Sequence, residues 1–235
     1  MNVFASPGEV FAGINATAAS TANWLVPILI YSIIGVISVC VLFAQPAIQQ
    51  TIHDQQVKSL DKLVQQGKMT QAQEDQSLQM MEKFFGPAML AVAGSIGLVT
   101  YCFVSIFGWA LVLWLAGRWL LQSQTGYLKM VEVAGLSSLI TVLGMVISTL
   151  LAVILGRLYA GPSLALLVTN FDPANRSHLL LGAVNGFNLW HTGVLAIGLA
   201  KLSNTSVAKP AAIIFGFWVL IELLLIGMGM GQYAL

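Results

Sequence analysis

The sequence predicts an all-α polytopic integral membrane protein: a bundle of five transmembrane helices, with an interfacial helix at the N terminus and a helical hairpin between spans one and two. Two observations carry that expectation. Of 235 residues, 57% are hydrophobic and only 8% are charged, where a soluble domain carries roughly a quarter charged residues. Mean hydropathy is +0.85, and the apolar residues gather in runs long enough to cross a bilayer, which takes about 20 helical residues. Charge narrows the function classes further. Ten Lys and Arg spread along a chain of formal charge +1 leave no basic stripe to neutralise a phosphate backbone, so nucleic acid is excluded as a partner. Cys40 and Cys102 fall in separate apolar runs; they match neither a disulfide framework nor a metal spacing and read as small core residues.

The elements follow in order. Ser6-Pro7-Gly8-Glu9 has the composition of a capping box, with proline at the first helical position, and Val10, Phe11 and Ile14 then give a short apolar face suited to the membrane interface. Residues 1–22 hold no Lys or Arg, so the first apolar run reads as an uncleaved span rather than a signal peptide. That span runs from about Trp24 to Ala44, with Trp24 as interfacial anchor and Pro46 as terminator. The polar insert, about 49–83, should form two helices: one with Val57, Leu60, Leu63 and Val64 on a face and stopped by Gly67, the next capped by Thr70 with Gln73 and carrying Leu78, Met81 and Phe85. Its four lysines against five acids describe a solvated face. Span two, about Pro87–Trp119, is longer than a bilayer needs. After a turn at Gln122–Gly126 comes span three, about Met130–Gly156. Ser163–Val168 is apolar but too short to cross, and is expected to be re-entrant or interfacial. Asp172-Pro173 looks like the N-cap and first turn of span four, about Leu179–Ala200, and span five is about Ala211–Gly231. With five spans, Arg118, Lys129, Lys201 and Lys209 fall in the short loops on the N-terminal side; the positive-inside rule then places the N terminus in the cytoplasm and the C terminus outside.

Chemistry concentrates in the last two spans. Gly182 to Lys201, read as one continuous helix, carries Asn185, Asn188, His191 and Thr192 within an arc of roughly 120° at about 100° per residue, beside a stripe of Gly182, Gly186 and Gly193. Gly182 with Gly186, and Gly227 with Gly231, have the GxxxG spacing that lets helix backbones approach closely, within this bundle or between copies. Glu222 lies near the middle of span five, where a carboxyl must face the bundle and be paired or protonated. Counting roughly 1.5 Å per residue from the loop between spans four and five puts His191, Glu222 and Asn188 about 15, 18 and 20 Å deep. A buried cluster of Glu222, His191 and Asn188, extended by Asn185 and Thr192, is the candidate site. It reads either as a proton or solute relay or as hydrogen-bonded glue that fixes helix register. Glu132, three residues after Lys129, permits an i,i+3 ion pair of structural kind. No serine elbow, HExxH motif or phosphate loop occurs, and His53, His178 and His191 are scattered; neither enzymatic turnover, nor a metal, nor a cofactor is expected.

Several stretches together resemble the Yip family of five-span membrane proteins, in particular its bacterial branch. The strongest is Asn185 to Ser203, NGFNLWHTGVLAIGLAKLS; others are FASPGEVF (Phe4 to Phe11), Gly67 to Gln73, and GYLKMVEVAGLSSL (Gly126 to Leu139). The resemblance covers nearly the whole chain and implies one membrane domain over 1–235, a five-helix bundle with a cytoplasmic N terminus, located in the bacterial cytoplasmic membrane. Eukaryotic relatives associate with one another and engage Rab-type GTPases. Here about 22 residues precede the first span instead of a large domain, Ile140 stands where many relatives have proline, and Asn185 where many have aspartate. These departures weigh against carrying the GTPase role over. The expected function is a membrane-organising or adaptor protein whose partners are the lipid bilayer, other membrane proteins or further copies of itself. The alternative is a small transporter or channel using the polar cluster on spans four and five.

Overall fold

The computed structural model describes residues 2–84, 86–169 and 171–229, and among these every regular element is a helix. Nine α-helices follow one another: α1 (Pro7–Asn15), α2 (Ala22–Phe43), α3 (Pro46–Gln65), α4 (Gln71–Phe84), α5 (Pro87–Leu115), α6 (Tyr127–Leu155), α7 (Arg176–Ala183), α8 (Gly186–Leu202) and α9 (Ala208–Gly227). Among the described residues, four segments are long and apolar enough to cross a membrane: α2, α5 with its continuation to Leu120, α6 and α9. The expected excess length of span two is present as 34 helical residues, the last turn of which, Ala116–Leu120, winds as a π-helix.

α6 is the axis, packed by α2, α5 and α8 together. Glycines make this possible at two points. A Cβ on Gly135 would lie 2.6 Å from Trp24 Cα, and one on Gly144 would lie 2.8 Å from Phe187 Cβ, so α2 and α8 approach α6 as closely as they do only because α6 has no side chain there. Around these contacts Met130, Val131, Val133, Ile140, Leu195 and Leu199 are fully buried.

The N-terminal helix differs from expectation in two respects. Ser6 is the N-cap residue of α1 but its side chain makes no capping bond; Asn2 Oδ1 instead accepts from Phe4 N and Ala5 N, so the capping box is not formed. The apolar face of Val10, Phe11 and Ile14 is buried against α8 and α6 rather than turned to the bilayer. Burial of each such side chain stabilises by roughly 1.5–3 kcal/mol relative to water.

Beyond α2 the chain forms the polar insert. Gly67 at φ +67° ends α3, where Lys68 N donates to Leu63 O at 2.9 Å. Thr70 and Gln73 form the expected reciprocal cap of α4: Thr70 N donates to Gln73 Oε1 at 2.9 Å and Gln73 N to Thr70 Oγ1 at 3.3 Å. Phe85, assigned to the apolar face of α4, lies outside the described residues. α3 is tied to the loop after α6 by Tyr159 Oη donating to Gln55 Oε1 (3.3 Å) and by the exposed Lys58–Asp172 pair (3.8 Å). In that loop Leu164–Leu167 is a 3₁₀ turn. Asp172-Pro173 does not start a helix: Asp172 Oδ1 accepts from Ala174 N (2.9 Å), and α7 begins at Arg176 under Asn175, whose side chain accepts from Ser177 N (2.9 Å). An Asx turn outcompetes the helix start because aspartate caps its own next turn.

Candidate functional site

The helix expected from Gly182 to Lys201 is two helices. α7 ends at Ala183, and Val184 and Asn185 are non-helical at φ/ψ −77°/75° and −107°/129°. The cause is local. Asn185 prefers to cap rather than continue a helix, and its Oδ1 accepts from Phe187 N at 2.9 Å. A break in a helix frees backbone groups that need partners. The chain at Pro162–Leu164 supplies them: Gly186 N donates to Pro162 O (3.2 Å), Leu164 N to Val184 O (3.3 Å), and Ser163 pairs with Asn185 as an isolated antiparallel bridge.

This corrects the polar arc. Asn185 sits at the head of α8 as its cap, and Asn188, His191 and Thr192 follow within its first two turns. Thr192 Oγ1 is turned back to Asn188 O (2.7 Å). All five predicted residues nevertheless line one cavity of about 910 Å³, bounded by α2, α5, α6, α8 and α9 and covered by the loop after α6. His191 meets Trp109 edge to face (centroids 6.0 Å, 86°), and Trp109 meets Phe217 of α9 (5.8 Å, 75°). Trp218, one turn before Glu222, lines the same cavity, and Glu222 Oε2 is buried without a hydrogen-bond partner among the described residues. No hydrogen bond joins Glu222, His191 and Asn188 among the described residues; they face a shared space. Sequence reading missed the α5 wall. Tyr101, Ser105 and Trp109 all line the cavity, and their i, i+4, i+8 spacing would have placed them on one helical face.

The glycines expected to pack are not all at helix contacts within the bundle. Gly182 closes α7 and Gly186 opens α8, so the break interrupts their GxxxG pattern. Gly193 and Gly227 have open space where a Cβ would stand, and Gly231 lies outside the described residues. Glycines that admit a neighbour include Gly35 against Leu98, Gly135, Gly144 and Gly198, the last against Val133 and Phe11.

A second polar site lies at the α1 end of the bundle. Glu132 is 1% exposed, and the i,i+3 pair with Lys129 is present at 3.2 Å. Asn23 of α2 donates from Nδ2 to Glu132 Oε2, and Lys129 Nζ donates to Ile14 O, the C-terminal turn of α1, at 2.7 Å. One carboxylate thus joins α1, α2 and α6, with the lysine also meeting the negative end of the α1 dipole. Nearby, Thr125 Oγ1 donates to Leu202 O (2.7 Å) and Lys209 Nζ to Leu120 O (2.9 Å), so the short turns at this end satisfy the last carbonyls of α8 and α5. Among the described residues no group of three or more His, Cys, Asp or Glu could hold a metal.

Among known families, the model described as the Yip1 domain matches residues 1–230. No curated protein and no solved structure matches the chain.

Proposed function

Since the chain belongs to the Yip1 domain family and is an integral membrane protein, we propose that it acts without enzymatic turnover as a membrane-organising or adaptor protein. The observation that carries the reading is the shape of the cavity. Its flank between α5 and α9 includes exposed Tyr101, Val104 and Ile221, and next to the lining residues Val112 and Thr192 the side chains of Leu113, Leu195 and Leu199 are fully buried. A side-opening groove suits holding something within the bilayer, whereas transport needs a path to both faces. In this reading α8, 17 residues long and buried along one side, makes a fifth crossing with α7 as its foot. The N terminus is cytoplasmic, in a bacterial cytoplasmic membrane, and α3 and α4 form a helical hairpin on the opposite side. Glu222, His191, Asn188, Asn185 and Thr192 form the polar wall of the groove. Other membrane proteins or further copies of the chain are the partners.

The test pairs two measurements on one preparation: photo-crosslinking in cells from Val104 and Ile221 with mass spectrometry, and solute flux in liposomes. Reproducible crosslinks to a membrane protein without flux are expected. Flux without a reproducible crosslink would overturn the proposal.

A further inference from the structure

We infer that the groove between α5 and α9 binds an amphiphile with an ammonium head group, the head against Glu222 and the tail leaving sideways into the bilayer. This goes beyond the adaptor reading and does not require a protein partner. Four features of the groove converge on that chemistry.

The first is an unmet acceptor. Glu222 Oε2 is buried and has no hydrogen-bond partner among the described residues, and the described residues lining the cavity include His191 but no Lys or Arg. A carboxyl held in hydrocarbon is costly until a donor or a cation reaches it. The second is aromatic. Trp109, Phe217, Trp218 and Tyr101 line the same cavity as Glu222. Indole and phenol faces beside a carboxyl are the combination that recognises an ammonium group, through cation–π attraction together with charge.

The third is the route. α9 packs along α8 and reaches α5 at the Trp109–Phe217 ring pair. Towards Glu222 the flank between the two helices carries Tyr101, Val104 and Ile221, respectively 53, 64 and 37% exposed. In a bilayer that surface is hydrocarbon, so a ligand enters with a tail that can lie there; a small soluble cation would have to cross lipid first. The fourth is size. A volume of about 910 Å³ accommodates a head group and the first part of a chain, and belongs to the upper range of small-molecule sites, about 300–1,000 Å³.

The full-length protein in non-ionic detergent is titrated with dodecyltrimethylammonium, dodecanol, dodecanoate and tetramethylammonium, binding being followed by tryptophan fluorescence and native mass spectrometry. The tailed ammonium is expected to bind saturably, about tenfold or more tighter than the alcohol, a ratio equivalent to about 1.4 kcal/mol. Dodecanoate and the tailless ammonium should bind more weakly still. Glu222→Gln should remove most of the preference for ammonium over alcohol, and Trp109→Leu should reduce it. Equal affinity for ammonium and alcohol, or an unchanged preference in a folded Glu222→Gln, overturns the inference, and tailless ammonium binding as tightly as the tailed probe overturns its lipid-side part. Should Glu222→Gln not fold, Val104→Trp narrows the lateral gap with Glu222 intact. It should exclude the tailed probe, and undiminished binding by that variant would refute the proposed route.

Discussion

The same chemical change, glycine to alanine, should have opposite signs at two positions, and the structure supplies the magnitudes. At Gly135 of α6 the new methyl would lie 2.6 Å from Trp24 Cα, 2.7 Å from Trp24 Cβ and 3.1 Å from Asn23 O. That is about 1 Å inside the ~3.5 Å at which carbon atoms rest against each other. The obstructing atoms are mostly backbone, so no rotamer change relieves them and α2 must move as a body. Overpacking of this kind costs about 1–3 kcal/mol. Moving Asn23 also loosens its bond to Glu132, where a hydrogen bond to a charged group contributes about 1.5–3 kcal/mol. Against this stands about 1 kcal/mol gained by replacing glycine within a helix. The losses win, and Gly135→Ala should be destabilised by about 1–3 kcal/mol. At Gly193 nothing lies within 4 Å of the new methyl, only the helix term applies, and Gly193→Ala should be neutral or more stable by up to about 1 kcal/mol. For 150–250 residues each kcal/mol corresponds to roughly 2–4 °C in Tm. Thermal unfolding in detergent, followed by tryptophan fluorescence, reads both changes, with Trp24 at the contact itself. Equal Tm for Gly135→Ala and the unmodified protein would refute the close-approach argument, as would a lowered Tm for Gly193→Ala.

Three further outcomes follow from other contacts. Glu132→Ala leaves Lys129, 16% exposed, beside the bundle core without its carboxylate, and should cost about 3–5 kcal/mol; exchange of α1 amides should rise with it, and unchanged protection of α1 would count against the bridge from Glu132 to Ile14. Asn185→Ala removes the N-cap of α8 and should lower stability by about 1 kcal/mol, measured as a drop in Tm; no drop would mean that the chain at Pro162–Leu164 alone holds the break. Outside the spans, burial and then the neighbouring Asp61 push the Glu74 carboxyl above its ordinary 4.5. A raised folded pKa means that the contribution is fully present below pH 4.5 and is lost as pH rises through the higher folded value. The distance between spin labels on α3 and α4 should therefore lengthen or broaden on going from acid to neutral pH, and Asp61→Asn should weaken that response; an identical response in Asp61→Asn would remove Asp61 as its source.

How much of this was legible in the sequence depends on the range of the interaction that decides it. Composition and apolar run length fixed the class of protein and the positions of α2, α5, α6 and α9, because in hydrocarbon each backbone polar group must be satisfied within its own helix, and that requirement is local. The cap made by Thr70 and Gln73 and the turn at Gly67 were equally readable, each being closed within a few residues. The Lys129–Glu132 pair could be anticipated from its spacing, but not Asn23 and Ile14 as its other partners, which arrive from α2 and α1. Five residues placed on the candidate site do share one cavity, since depth along a helix is countable. The break at Val184–Asn185 could not be read from periodicity, because it is stable only where Pro162–Leu164 covers the freed amide and carbonyl. Close contacts at glycines within the bundle were unreadable for the same reason. GxxxG spacing says that a close approach is possible, whereas which helix comes close is a property of the whole bundle, and that chose Gly35, Gly135, Gly144 and Gly198. The sequence alone determined which segments are apolar, how long they are and where their polar atoms lie; the tertiary structure decided which faces meet, because packing depends on side chains distant in the chain arriving at the same place.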